Sequence, residues 1–199
     1  MQFIRVPANV MSTSRRTLLF GKGVNDASYI IQGCPVYAQW KAVLQRAFCA
    51  KWQKRYPCYE GTSVVPEWLH FSAFLAWADA QPSSGVIDKD LLVHGNKQYG
   101  PTTCMLIPQE INKLVIRPAV KTSGLPVGVD LLKGRYLART RMYGKPVSLG
   151  MHDTAEAAHK AFIEAKAVHV REVAETQHQQ LKYALHRIAD QISTGNYYK

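Results

Sequence analysis

The run "GVIDKDLLVHGNKQYGPTTCMLIPQEINKLVI", residues 85–116, constrains the fold more than any other part of the chain. Two aliphatic segments, "GVIDKDLLV" and "TTCMLI", flank "HGNKQYGP", whose glycines and proline interrupt regular structure. "PQEINKLVI" then reads as a short helix. The reading is strand, loop, strand, helix. It gathers Asp88, Lys89, Asp90, His94, Asn96 and Lys97 around one turn.

Helices are predicted upstream. In "PVYAQWKAVLQRAFCAKWQ", Trp40, Val43, Leu44, Ala47 and Phe48 recur three and four residues apart and form one apolar face. Lys41, Arg46, Lys51 and Lys54 lie largely off that face, as a solvated surface or a phosphate contact. An extended "YPCYEGTSVV" follows, and Pro66 then opens "PEWLHFSAFLAWADA", where Trp68, Phe71, Phe74, Leu75 and Trp77 supply a bulky core. Ahead of these, "GVNDASYIIQG" reads as a strand and turn.

Beyond "RPAVKTSGLP", residues 117–126, the pattern changes. Two prolines, a Ser-Gly pair and no period make this segment a linker, dividing the chain into 1–116 and 127–199. "VGVDLL", "GRYLARTRMY" and "KPVSLG" read as three short strands broken at Lys133-Gly134 and Gly144-Lys145. "HDTAEAAHKAFIEAK" reads as a helix with an Asp153–Glu156 capping box. Its narrow face of Ala157, Ala158, Ala161, Phe162 and Ala165 can lie flat on a sheet. Leu181, Leu185, Ile188 and Ile192 form a last apolar stripe, suited to folding back or to a partner helix. The class is α+β: helices, a strand–loop–strand–helix unit, a three-stranded sheet with a helix, and a C-terminal helical extension.

Charge narrows the partners. A formal charge of +11 over 199 residues implies a polyanionic partner, with nucleic acid first. The basic residues are spread along the chain instead of gathered on one amphipathic helix, which disfavours a membrane surface. No apolar run nears the roughly 18–20 residues of a membrane span, and the N-terminal residues lack a signal-peptide core, so an intracellular protein is expected. Cys34, Cys49, Cys58 and Cys104 form no C-x-x-C pair; they read as buried small apolar residues and give no support to a structural zinc.

From Val86 to Asn112 the sequence resembles the HNH, or ββα-metal, nucleases, notably those of bacteriophages and mobile introns. Asp88 stands at the family's Asp position, "GNK" recurs at Gly95–Asn96–Lys97, and "TCMLIPQEIN" runs without a gap to Asn112 at the helix ligand position. The Trp-rich helices upstream extend the resemblance over roughly residues 20–116. It implies a divalent metal, Mg²⁺ or Mn²⁺, held by Asp88 and Asn112 against a scissile phosphate. The family's histidine base is replaced by Lys89, whose ordinary pKa of about 10.4 leaves no lone pair at neutral pH. Lys89 is therefore expected to hold phosphate. His94 is the substitute base within the loop, and Thr103 stands where the family's loop-bracing Asn belongs.

Residues 126–166 resemble the AP2 DNA-binding domain in "GV" at 128–129, "GRYLARTRMYGK" and "LGMHDTAEAAHKAF". Alternation puts Arg135, Leu137, Arg139 and Arg141 on one strand face and Tyr136, Ala138, Thr140 and Met142 on the other. The arginine face, with Lys145 and Lys97, is expected to bind double-stranded DNA. Together the two resemblances imply a metal-dependent DNA endonuclease targeted by its second module, with homing as a role such nucleases have. The alternative is a degenerate HNH-fold protein that binds DNA without cutting. A phage-encoded protein of this kind acts in the cytoplasm of its bacterial host.

Overall fold

The computed structural model describes residues 3–116 and 123–198. Its class is α+β, and it divides into two compact units, Met1–Gln109 and Glu110–Lys199. Residues 117–122, the larger part of the expected linker, lie outside the described residues.

The first unit begins with α1 (Val10–Ser14), which the sequence pattern did not announce. The segment read as a strand and turn after Gly23 makes only isolated bridges, among them Pro7 with Tyr29 and Val24 with His70. Arg16 organises it by donating to the carbonyls of Asn25 at 3.0 Å and Ala27 at 2.5 Å.

The predicted long helix is two: α2 (Pro35–Phe48) and α3 (Ala50–Arg55), separated by Cys49 in an extended conformation. Trp40, Val43, Leu44 and Ala47 are buried on α2, as their spacing requires. The next helix is also divided. Residues Pro66–Leu69 form a 3-10 turn, His70 is extended, and α4 (Phe71–Asp79) follows. The carboxylate of Asp26 binds both the amide of Ser72 at 2.7 Å and its hydroxyl at 2.6 Å, which caps α4 across the chain. Trp40, Trp68, Phe71 and Phe74 form the aromatic core, and Trp40 Nε1 donates to the Trp68 carbonyl at 2.7 Å, so the indole is buried without an orphan donor.

The strand–loop–strand–helix order is present, with shorter strands. β1 (Ser63–Val64) pairs in parallel with β3 (Gln98–Tyr99), and β2 (Val86–Asp88) pairs antiparallel with β4 (Met105–Ile107). β2 stops at Asp88 because Asp88 Oδ1 accepts the amides of Asp90 at 2.8 Å and Leu91 at 2.7 Å, curling the chain where continued strand was expected. Gly85, at φ +141°, lies so close to Ile107 that a Cβ would meet its carbonyl oxygen at 2.0 Å. α5 (Gln109–Val115) follows β4 and straddles the division between the units.

The second unit carries the antiparallel sheet β5 (Val129–Leu132), β6 (Arg135–Met142) and β7 (Lys145–His152), in that order. α6 (Ala155–Ala174) packs on it through Ala158 and Phe162, against Val129 and Ala138. Ala157, expected on that face, is exposed. The helix also begins differently from the predicted capping box. Thr154 is the N-cap, its Oγ1 accepting the Ala157 amide at 3.1 Å, while Asp153 reaches back to Arg135. α7 (Gln179–Ser193) folds back on α6, burying Leu181, Leu185, Ile188 and Ile192. Arg171 joins the two helices by donating to Asp190 at 2.8 Å.

Candidate nucleic-acid interface

In the first unit the loop after β2 is held by reciprocal bonds. Lys89 Nζ donates to Asp90 Oδ1 at 2.7 Å and to the Asn96 carbonyl at 2.6 Å. Asn96 Nδ2 donates in return to the carbonyls of Lys89 at 3.0 Å and Gln98 at 2.6 Å, and its Oδ1 accepts the Gln98 amide at 2.9 Å. The loop therefore does have a bracing asparagine, and it is Asn96. Thr103 has the lesser task of closing the far end, its hydroxyl donating to the Gln98 carbonyl at 2.8 Å. A sequence signal did exist: an Asn beside Gly between two strands is the residue type that bonds its own backbone two positions on.

These bonds define what Asp88 and Lys89 can do. The Lys89 side chain is only 10% exposed and holds two oxygens, which leaves one N–H without an acceptor among the described residues. It is a cation donor at the position where the HNH resemblance leads one to expect a histidine base. Burial pushes the Asp88 carboxyl up from the ordinary range, while the Leu91 and Asp90 amides and the Lys89 charge pull it down. Oδ1 already serves those two amides, so Oδ2 is the oxygen left for a metal or a phosphate-bound water.

Arg46 of α2 belongs to the same neighbourhood, and nothing in its spacing along the chain singles it out. Its guanidinium donates to Tyr99 Oη at 3.3 Å and lies 5.4 Å from the centroid of the Tyr59 ring. Burial pulls its pKa down, but Tyr99, Tyr59 and the Asp88 carboxylate outweigh this and hold it protonated. His94, expected as the substitute base, is exposed in the turn. Lys97 is engaged elsewhere, donating to the carbonyls of Cys58 at 2.7 Å and Glu60 at 3.1 Å.

The expected metal finds a thin donor set. Among the described residues no three His, Cys, Asp or Glu side chains are grouped to hold an ion. Asp88 offers one carboxylate oxygen in the first unit, and Asn112 lies half-buried on α5 in the second. An aquated Mg²⁺ or Mn²⁺ needs few protein ligands, and oxygen donors of this kind suit it. Of the cysteines, Cys34 and Cys104 are buried as expected, Cys49 is half-buried and Cys58 is exposed; all are unpaired thiols.

In the second unit, Arg135, Arg139 and Arg141 are exposed on the outer face of β6, while Ala138 is buried beneath. A register shift between Leu137 and Arg139 marks a bulge, and the Arg139 amide bonds the Gly128 carbonyl at 2.8 Å. Arg135 pairs with Asp153 at 2.8 Å and Arg139 with Asp130. Arg141 has no ion-pair partner among the described residues. Lys145 is exposed but pairs in register with Met142, so alternation puts it on the side of the sheet opposite the arginines. The face also carries Leu137 and Met151, opposite each other across β6 and β7.

The chain matches no protein-family model, no curated protein and no solved structure. No described helix is long and apolar enough to cross a membrane.

Proposed function

We propose that the protein binds duplex DNA through the outer face of the β5–β6–β7 sheet. The observation that carries this reading is the exposure of Arg135, Arg139 and Arg141 on one face of β6, in a chain of net charge +11. Guanidinium groups on such a surface bind phosphates bidentately and can pair with guanine in the major groove. Asp153 and Asp130 hold Arg135 and Arg139 in place without burying them, and Arg141 carries no ion pair among the described residues. The likeness to AP2 domains supports the same surface. The test is binding of a short duplex by the wild type and by Arg139→Gln/Arg141→Gln. The variant binds more weakly, and its log K falls less steeply with log[salt], by about 0.9 for each phosphate that the protein no longer neutralises. An unchanged slope would remove the sheet from the interface.

A second reading is metal-dependent nicking at Asp88, favoured by the carboxylate oxygen left open at the end of β2. In it, Asp88, in the first unit, would hold Mg²⁺ or Mn²⁺ through that oxygen. A metal bound there would supply charge stabilisation for the scissile phosphate, and Lys89 would offer its remaining N–H to a phosphate oxygen. Supercoiled plasmid incubated with either metal tests it. Wild type that nicks no faster than Asp88→Ala, with binding intact, leaves a DNA-binding protein without cleavage.

A further inference from the structure

Between Asp26 and Glu60 the chain carries Lys41, Arg46, Lys51, Lys54 and Arg55 and no acidic residue at all. α3 concentrates this imbalance. It has no buried residue, and Lys51, Lys54 and Arg55 are all exposed. Their spacing of i, i+3 and i+4 puts them on one helical face, with Cβ atoms about 5–6 Å apart. None has an ion-pair partner among the described residues. The helix dipole accounts for cations in the last turn, but like charges this close destabilise an isolated helix. A short helix with no fully buried residue, whose cations repel one another, gains stability from a polyanion laid along it.

The helix is nevertheless held firmly. Gln53 Nε2 donates to the carbonyls of Arg46 at 3.0 Å, Ala47 at 2.9 Å and Tyr59 at 3.4 Å, which fixes α3 to the end of α2. Trp52 packs against Tyr56 at a tilt, with centroids 4.6 Å apart, and Arg55 lies over the Tyr56 ring at 5.4 Å. The segment after α3 is then tied to the Asp88 loop twice, by Lys97 on the Cys58 and Glu60 carbonyls and by Arg46 between Tyr59 and Tyr99. Lys97 therefore acts as a strut that sets the α3 face in register with the Asp88–Lys89 loop.

We propose that the Lys51–Lys54–Arg55 face is a second contact for the phosphodiester backbone of duplex DNA, so that the first unit grips the DNA as well as the sheet. This rests on the DNA-binding reading above. Charge complementarity and the absence of any acid in this stretch select the backbone over an apolar or basic partner.

The experiment compares the full-length wild type, Lys51→Gln/Lys54→Gln/Arg55→Gln, and Arg139→Gln/Arg141→Gln on one duplex over a range of salt concentrations. The α3 variant is expected to have a slope shallower by about 2–3, and the charge-keeping variant Lys51→Arg/Lys54→Arg/Arg55→Lys to have the wild-type slope. All three positions are exposed, and matching urea midpoints establish that the variants are folded. A wild-type slope for the α3 variant beside a reduced one for the sheet variant overturns this inference and leaves the DNA reading standing. No binding by the wild type overturns both. Phosphatidylserine vesicles are the last arm: loss of vesicle binding in the α3 variant with an unchanged DNA slope assigns the face to a lipid surface and overturns the proposal.

Discussion

Lys89 and Asn96 hold each other by their main chains. The Lys89 ammonium donates to the Asn96 carbonyl at 2.6 Å, and the Asn96 amide donates to the Lys89 carbonyl at 3.0 Å. The pair closes the loop between β2 and β3, just past the point where Asp88 ends its strand. It makes position 89 structural as well as electrostatic, so substitutions there act on loop geometry and on chemistry together.

Asn96→Ala removes the side-chain bonds to the Lys89 and Gln98 carbonyls and to the Gln98 amide. Loss of such a partly buried set is expected to cost about 1–3 kcal/mol. A lower urea midpoint checks it. Faster hydrogen exchange confined to the 89–98 backbone places the loss in this loop.

Lys89→His separates the two functional readings. An imidazole at 89 is too short to replace the ammonium on the Asn96 carbonyl, but the Asn96 side-chain bond to the main-chain carbonyl of residue 89 remains, and the ring offers a nitrogen as a proton acceptor. If the Asp88 site cleaves, this variant nicks plasmid with Mg²⁺ faster than the wild type, by about a hundredfold or more. Equal rates for Lys89→His and Asp88→Ala would leave binding as the only function of the site.

The parts legible in the sequence were those set by local periodicity. The apolar positions of α2 and α7 and the alternation along β6 need no tertiary information, and the buried and exposed residues follow them. What was illegible depended on side chains acting at a distance or on single backbone angles. Cys49 breaks a helix whose apolar period continues through it, and Asp88 ends a strand whose aliphatic run continues to Val93. Lys97 reads as a free cation in a charged turn, yet its ammonium is committed to carbonyls 37 and 39 residues away. Asp153 has the right spacing for a capping box, and its attraction to Arg135 across the sheet leaves the capping to Thr154.

Lys166, on α6, gives a pH signature. Burial pushes its ammonium down to about 8. In the unfolded chain the same group titrates near 10.4. Between those values the unfolded state binds more protons, so stability rises with pH across this window. At pH 7 both states are charged and the burial penalty is present in full. Lys166→Met is expected to stabilise the protein at pH 7, by at most about 3 kcal/mol, and to have no such gain above pH 10. Urea unfolding at pH 7 and pH 10 checks the sign. His169, whose pKa is held down by burial and then by the Lys166 charge, titrates higher in the variant.

Gly128 tests how closely α6 must approach the sheet. Its φ is +80°, and a Cβ there would meet Phe162 Cγ and Cδ2 at 2.2 Å. Gly144, in the β6–β7 turn, has φ +77° and no atom within 4 Å of the same added carbon. The two share the conformational penalty of a left-handed residue, about 1 kcal/mol, so the difference between Gly128→Ala and Gly144→Ala isolates the clash. That difference is expected to be about 1–3 kcal/mol in urea unfolding. Because the Gly128 carbonyl accepts the Arg139 amide at the bulge, displacing Phe162 also moves the strand that carries the arginines. Gly128→Ala should therefore weaken DNA binding under conditions where it remains folded, and Gly144→Ala should leave it unchanged. Equal effects of the two substitutions on stability would mean that α6 can recede from the sheet without penalty, and Phe162 would then be no anchor for the arginine face.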